Sequence, residues 1–340
     1  MRYQSTPSPP ISENRCKRPR NLFPYGSNDV EKQGTVRVMS TRATTPLASR
    51  AGSGEIVLID GATGTDIERR GVPMIEGAWC GGAHLSHPDD VRHVHVDHIN
   101  AGAELIIANT YASSRHLLAA AGIEEHFEEL NRRAVELAIE ARDASGRSDV
   151  LVGGSMSTTA QGGTFPSVET AAVNYADQAK ILADAGSDVI VLEMMRDIEQ
   201  TEPCLAGAIA TGLPIWMGLS CVVTDGVPMM WEGTVTVEAF MQRFKDEPFE
   251  VLAIMHTEVD DIDACLDVVQ QHWDGPIAVY AQSGRFDPPV WVFIDVISPE
   301  DYASACQRWI DRGVSIVGGC CGVGFEHIAH LRDELEAAST

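Results

Sequence analysis

Two adjacent cysteines, Cys320 and Cys321, sit in Val317-Gly318-Gly319-Cys320-Cys321-Gly322 directly after an apolar run. Neighbouring cysteines do not readily bond to each other, because a vicinal disulfide strains the peptide between them. At the end of a buried strand, with glycines on both sides, both sulfurs can instead turn toward one point. That arrangement suits a soft metal such as zinc. The same pair would also pack as two small apolar side chains, so remote partners have to decide between the readings. Such partners would come from other strand ends, where His256 and Cys221 are metal-capable residues.

The elements that must bring these residues together are visible as a rhythm. Short unbroken apolar runs recur at Ile56–Asp60, Glu104–Asn109, Val150–Gly154, Asp188–Glu193, Pro214–Ser220, Phe249–His256, Pro276–Ala281 and Val314–Gly319. Unbroken runs of this length suit parallel strands covered on both faces. Helical periodicity fills the gaps at His126–Arg142, Thr170–Ala185, Glu199–Ala210 and Asp261–Gln271. Glycines follow several helix ends, as in Ala101-Gly102, Ala185-Gly186 and Arg312-Gly313, where a left-handed cap is expected. Eight alternating β and α units predict an α/β fold, a (β/α)8 TIM barrel. No Gly-x-Gly-x-x-Gly follows a strand, which leaves a dinucleotide-binding fold without support.

A TIM barrel carries its chemistry at the C-terminal ends of its strands. Those ends read Asp60, Asn109-Thr110-Tyr111, Ser155, Glu193, Ser220-Cys221, His256, Gln282-Ser283 and Cys320-Cys321. Polar and metal-capable groups thus converge on one mouth of the barrel. Asp60 and Glu193 would serve there as buried acceptors for a cationic group, although a carboxylate after a strand also caps helices.

The net charge of −24 argues against a nucleic-acid partner, which needs a basic face. The cysteines, eight in number, lack disulfide-scaffold spacing, which fits a reducing compartment. No run is long enough for a transmembrane helix, so no membrane partner is expected. Residues 1–50 hold nine Lys and Arg against three Asp and Glu, with Thr6-Pro7-Ser8-Pro9-Pro10 near the start. Residues 1–53 are therefore expected to be a disordered extension. They would be an organelle-targeting segment or, with Met39 as the true start, no part of the protein. The barrel domain is expected over 54–340, in a cytoplasmic protein.

The chain resembles the zinc-dependent homocysteine S-methyltransferase family, which includes betaine–homocysteine and S-methylmethionine–homocysteine methyltransferases. The matching stretches span roughly residues 54–336: Asp60-Gly61-Ala62-Thr63-Gly64-Thr65, Glu68-Arg69-Arg70-Gly71, Trp79, Ala101-Gly102-Ala103, Asn109-Thr110-Tyr111-Ala112-Ser113, Glu193, Tyr280, Ser283-Gly284 and Gly318-Gly319-Cys320-Cys321-Gly322. The resemblance implies the TIM barrel. It also implies zinc as cofactor, held by Cys320, Cys321 and a third residue from the sixth strand. That position is cysteine in the family and His256 here. Cys2His with one open position is an established catalytic set. Imidazole in place of thiolate makes the metal more electrophilic and the bound thiolate less nucleophilic.

By the same resemblance, Asp60 and Glu193 hold the amino group of homocysteine, backbone amides near Gly61 meet its carboxylate, and Tyr111 lies beside the methyl donor. The implied reaction is methyl transfer from an onium donor to homocysteine, giving methionine. S-methylmethionine, S-adenosylmethionine, betaine and dimethylsulfoniopropionate all qualify as donors, and the length leaves no room for cobalamin or folate modules. Two alternatives stand beside it: a diverged barrel that methylates another thiol or demethylates an onium compound, and a non-catalytic barrel that binds zinc or an amino acid.

Overall fold

The computed structural model describes residues 44–160, 165–231 and 233–338. The described residues belong to one compact body. Among the described residues, eight parallel strands form the barrel: β1 (Val57–Leu58), β2 (Leu105–Ala108), β3 (Leu151–Ser157), β4 (Val189–Met195), β5 (Ile215–Thr224), β6 (Val251–Glu258), β7 (Ile277–Gln282) and β8 (Ile316–Val317). Each corresponds to one apolar run of the sequence. Pairing follows chain order from β2 to β8. β1 then joins β8 through Val57↔Ile316 and meets β2 through the single parallel bridge Ile59↔Leu105, which closes the ring.

The runs are unbroken because both strand faces are buried. Val57, Ile59, Leu105, Val191, Trp216, Val251 and Ile316 fill the barrel interior as one cluster. Leu58, Ile106, Val152, Ile190, Leu252 and Val317 face the helical layer in another. The helices appear where periodicity placed them, as Phe127–Ala144, Val168–Ala185, Ile198–Thr211 and Ile262–Val269. Gly102 (φ 111°) and Gly186 (φ 105°) end their helices in the left-handed conformation that a side chain would resist.

The boundary expected at residue 54 lies inside this body. Pro46–Gly52 is a helix with Thr45 as its N-cap, accepting from the Ala48 N–H at 3.1 Å, and with proline in its first turn. Leu47, Ala48 and Ala51 join the interior cluster. Glu250, at the start of β6, accepts from the Thr45 hydroxyl at 2.6 Å and from Trp216 Nε1 at 2.9 Å. The helix therefore belongs to the barrel, a contact that local composition does not reveal. The expectations for disorder and targeting before residue 44 lie outside the described residues. None of the described helices is long and apolar enough to cross a membrane.

Two elements at the barrel mouth have no counterpart in the sequence reading. Val227–Met230 folds back antiparallel on β5. Arg285–Asp287 and Val290–Val292 form a two-stranded hairpin after β7. Both contribute walls to the site.

Candidate active site

The strand ends do converge. Asp60 follows β1, Glu193 lies in β4, His256 in β6, and Cys320 and Cys321 follow β8. Two irregularities aim them. The β4–β5 pairing shifts register between Leu192 and Met195, and the β6–β7 pairing shifts between Met255 and Glu258. Such bulges re-aim side chains at barrel rims. At the same places Met194 (φ 52°) and His256 (φ 45°) adopt left-handed backbone, as does Trp79 (φ 43°). For residues with a Cβ this costs on the order of 1 kcal/mol each. All three line the site, so the strain is concentrated where geometry matters.

His256, Cys320 and Cys321 form a cluster whose ligand atoms all lie within 4.8 Å of one another. Cys320 Sγ is 3.7 Å from His256 Nδ1 and 4.0 Å from Cys321 Sγ. A tetrahedral zinc site, with bonds of roughly 2.3 Å to sulfur and 2.0 Å to nitrogen, has edges of about 3.8 Å between sulfurs and about 3.6 Å between nitrogen and sulfur. The two Cys320 edges come close to those values, and the third, between His256 and Cys321, is within 4.8 Å. Electrostatics point the same way. The hydrogen bond between the two sulfurs, reinforced by His256, holds Cys320 well below the ordinary thiol range. The same hydrogen bond, together with burial and the neighbouring charge, drives Cys321 well above it. Without a metal the pair thus keeps one proton between its two sulfurs, and a bound cation is what would let both ionise.

Cys221, the other candidate, is not part of this cluster. It is buried in the outer layer, its thiol paired with Cys265 and its N–H donating to Thr257 Oγ1 at 3.0 Å.

On the inner side of the cluster lies a cavity lined by Asp60, Gly61, Glu193, Tyr280, Cys320 and Cys321, among others. Burial raises Asp60 to about 7, against the opposing pull of His98 and of the Ile107 N–H at 2.6 Å. Burial likewise raises Glu193 to about 8; Ser155, which donates to it, opposes the rise, and the negative charges of Cys320 and Asp60 add to it. Tyr280 Oη is buried there with no hydrogen-bond partner. Two acidic side chains and a phenol thus line one space, in which a cation would favour the ionised carboxylates.

Gly61 lines this cavity, but its N–H donates to His98 Nδ1 at 3.2 Å. The amide expected to meet a carboxylate is already engaged, and the Ala62 N–H next to it donates to Val323 O at 3.0 Å. The close approach explains the glycine: a Cβ at 61 would sit 2.5 Å from Val323 O and 2.9 Å from His98 Cε1.

On the outer side is a second cavity, walled by Trp79, Tyr111, Trp231, Phe286 and Trp291. His256 and Cys321 line both cavities, as do Trp79 and Tyr111. The His256 ring lies between Trp231 at 5.1 Å and Trp291 at 6.2 Å. Tyr111, edge-on to Trp79 at 6.4 Å, has its hydroxyl pushed far above the usual phenol range by burial, so it stays neutral. Sequence reasoning reached Tyr111 but not Trp231, Phe286 or Trp291. The only signal for these was an aromatic in each polar stretch after β5 and β7.

The homocysteine S-methyltransferase family model matches residues 57–335, most of the chain. This chain belongs to the homocysteine S-methyltransferase family. Among its relatives, selenocysteine Se-methyltransferase of Brassica oleracea var. italica is 27% identical over 300 residues, covering 79% of this chain and 86% of that protein. Homocysteine S-methyltransferase YbgG of Bacillus subtilis is 25% identical over 303 residues, covering 81% and 93%. The barrel superimposes on the metallated form of the homocysteine methyltransferase MmuM from Escherichia coli with a TM-score of 0.70 at 23% identity, covering 85% of this chain and 100% of that one. The expectation of a TIM-barrel methyltransferase is thereby met.

Proposed function

We propose that this enzyme moves a methyl group from an onium donor in the outer cavity to the thiol of homocysteine in the inner one, giving methionine, with zinc held by His256, Cys320 and Cys321. The observation that carries the reading is the meeting of two unlike cavities at these ligands. One is lined by two carboxyl groups; the other is walled by aromatic rings.

In the inner cavity Asp60 and Glu193 take the α-ammonium of the acceptor as charge-assisted partners, and Tyr280 Oη lies within the same wall for a further hydrogen bond. This fixes the amino-acid end and points the thiol toward Cys320 and Cys321. In the outer cavity the faces of Trp79, Trp231 and Trp291 stabilise a sulfonium or quaternary ammonium. The bond to the donor breaks as the sulfur–carbon bond forms, and the donor leaves as a neutral sulfide or amine. No general acid is needed, and the neutral Tyr111 hydroxyl between the cavities does not have to give up a proton. Zinc, when bound, lowers the pKa of a coordinated thiol, so that a thiolate is available near neutral pH. The chain's remaining contribution is alignment, which can supply several orders of magnitude in rate.

Support also comes from the names of the relatives, and the test is a matrix of donors and acceptors. Homocysteine, selenocysteine and 2-mercaptoethanol are each offered S-methylmethionine, S-adenosylmethionine, betaine and dimethylsulfoniopropionate, with product identified by mass. Methionine from at least one donor is expected. Equal turnover of 2-mercaptoethanol and homocysteine would remove the role of Asp60 and Glu193.

The carboxylates give a second expected result. Both have raised pKa values, so they are partly protonated near neutrality and become full acceptors only as pH rises through about 7 and about 8. Homocysteine affinity should therefore increase from pH 6 to pH 8. Deprotonation of two buried acids destabilises the ligand-free protein over the same range, so the rise in Tm caused by homocysteine should be larger at pH 8 than at pH 6. Glu193→Gln should weaken homocysteine binding by about ten-fold or more and flatten the pH dependence, with zinc content unchanged. Calorimetry at three pH values reads both effects; a Gln variant with the parent's affinity and slope would show that Glu193 does not meet the ammonium.

A further inference from the structure

Behind the inner cavity runs a buried polar chain that the proposed reaction does not use. His98, from helix Pro88–Ala101, has no solvent exposure. Its Nδ1 accepts from the Gly61 N–H at 3.2 Å, and its Nε2 lies 3.3 Å from Asp66 Oδ2. Asp66 accepts from Arg69 Nη1 at 3.0 Å and from the Phe325 N–H at 3.2 Å. Arg69 Nη2 donates to Gly322 O at 3.2 Å, and the Gly322 N–H donates to Thr65 Oγ1 at 3.2 Å. The chain thus ties the turn after β1, which carries Asp60, to the loop after β8, which carries the cysteines.

We propose that His98 is a positioning residue for the acceptor cavity: as the Nε2–H tautomer, oriented by Asp66, it holds the Asp60-Gly61 turn through its unprotonated Nδ1. The proposal rests on the reading of Asp60 as a partner of the acceptor's ammonium.

Burial of the His98 ring favours its neutral form, Asp66 and Asp60 pull its pKa upward, and the Gly61 contact requires that Nδ1 stay bare. Gly61 donates an N–H, so Nδ1 must offer a lone pair. Asp66 Oδ2 is an acceptor, so Nε2 must carry the proton. Both interactions are fully buried, where an unpaired amide is costly. Asp60 precedes Gly61 directly. Its carboxylate is otherwise fixed by the Ile107 N–H at 2.6 Å and only loosely by Thr63 Oγ1 at 3.5 Å. Releasing Gly61 loosens the turn just after Asp60, whose own N–H and C=O stay bonded to Leu105 and Gly319. The Asp66–Arg69–Gly322 bonds still hold the cysteine loop, and Glu193 and the aromatic cavity lie outside the chain. The effect should fall on one substrate alone.

Three variants separate the two hydrogen bonds. Asparagine places an acceptor near the Nδ1 position, glutamine places a donor near the Nε2 position, and phenylalanine supplies neither. His98→Phe and His98→Gln should raise the KM for homocysteine by about ten-fold. The donor KM, kcat and zinc content should stay within about two-fold of the parent, since nothing in those parts of the site moves. His98→Asn should recover most of the loss. Equal loss in donor KM and kcat, or an asparagine variant no better than glutamine, would make His98 a packing residue and overturn the proposal. If the phenylalanine variant does not fold, the comparison of asparagine with glutamine still decides.

A measurement without substrate keeps this separate from the proposed reaction. Nitrogen-15 spectra of the histidine-labelled zinc protein at pH 8, assigned with the asparagine variant, should show His98 with Nδ1 bare and Nε2 protonated. The opposite tautomer would overturn the proposal even in an active enzyme. Failure of the parent to turn over homocysteine would instead count against the function while leaving the tautomer result to stand.

Discussion

Replacing both Cys320 and Cys321 by alanine is expected to take zinc content from about one per chain to background and to lower turnover by roughly three orders of magnitude. The size follows from two contributions. A thiol with an ordinary pKa of about 8.5 is only a few per cent ionised at pH 7, so loss of metal-assisted ionisation accounts for about 30-fold. The remainder comes from loss of alignment, whose worth in well-oriented systems exceeds that amount many times. The barrel should survive, because both sulfurs are only half-buried and the loop is held by backbone bonds, Cys320 N–H to Ala281 O at 2.9 Å and Ser283 N–H to Cys321 O at 2.9 Å. Gly322 must remain, since it has φ 81° and a Cβ there would lie 1.8 Å from Ser283 O. Elemental analysis alongside circular dichroism reads the result. Full zinc in a folded double variant would place the metal elsewhere.

The barrel was legible in the sequence because two-sided burial leaves an unbroken apolar run at each strand, and all eight runs became strands. Asp60, Glu193, His256, Cys320 and Cys321 were legible for a related reason. A parallel barrel sends every strand's C-terminal end to the same mouth, so position in the run is already position in space. What stayed hidden depends on contacts between distant segments. The helix Pro46–Gly52 looks like part of a polar arm until Glu250 and the barrel floor are brought against it. Trp231, Phe286 and Trp291 sit in segments whose antiparallel pairing is too short to leave a periodic signal. The hydrogen bond from Gly61 was hidden because the residue that takes its N–H, His98, lies 37 positions away on a helix. A histidine on the buried face of a helix gives no sign of what it accepts from. The register shifts that aim Glu193 and His256 also leave no mark in composition.

His256 is where this chain departs from the family's cysteine, and its variants carry the other large expected effect. His256→Ala removes one of the three proposed ligands and should weaken zinc binding by more than about 100-fold, beyond what loss of a supporting contact costs. It also empties the space between Trp231 and Trp291, so residual activity at saturating zinc should show a raised donor KM. His256→Cys should keep zinc, because thiolate and imidazole both suit it. The left-handed backbone at this position is no harder for cysteine than for histidine. The exchange adds one negative charge beside the acceptor sulfur, which should shift the rise of the pH–rate profile upward by about one unit or more. The sign is fixed: extra negative charge at the site makes a thiol harder to ionise, so activity at pH 7 falls while activity well above the shifted pKa holds or increases, the thiolate being the more basic nucleophile. Competition with a chelator reads the affinity, and initial rates from pH 6 to 9.5 read the profile. An alanine variant that binds zinc as tightly as the parent, with an unmoved profile, would remove His256 from the ligand set. Cys221 could not replace it, since its thiol faces Cys265 in the outer layer rather than the cavity; the cysteine pair would then share the metal with solvent and substrate alone.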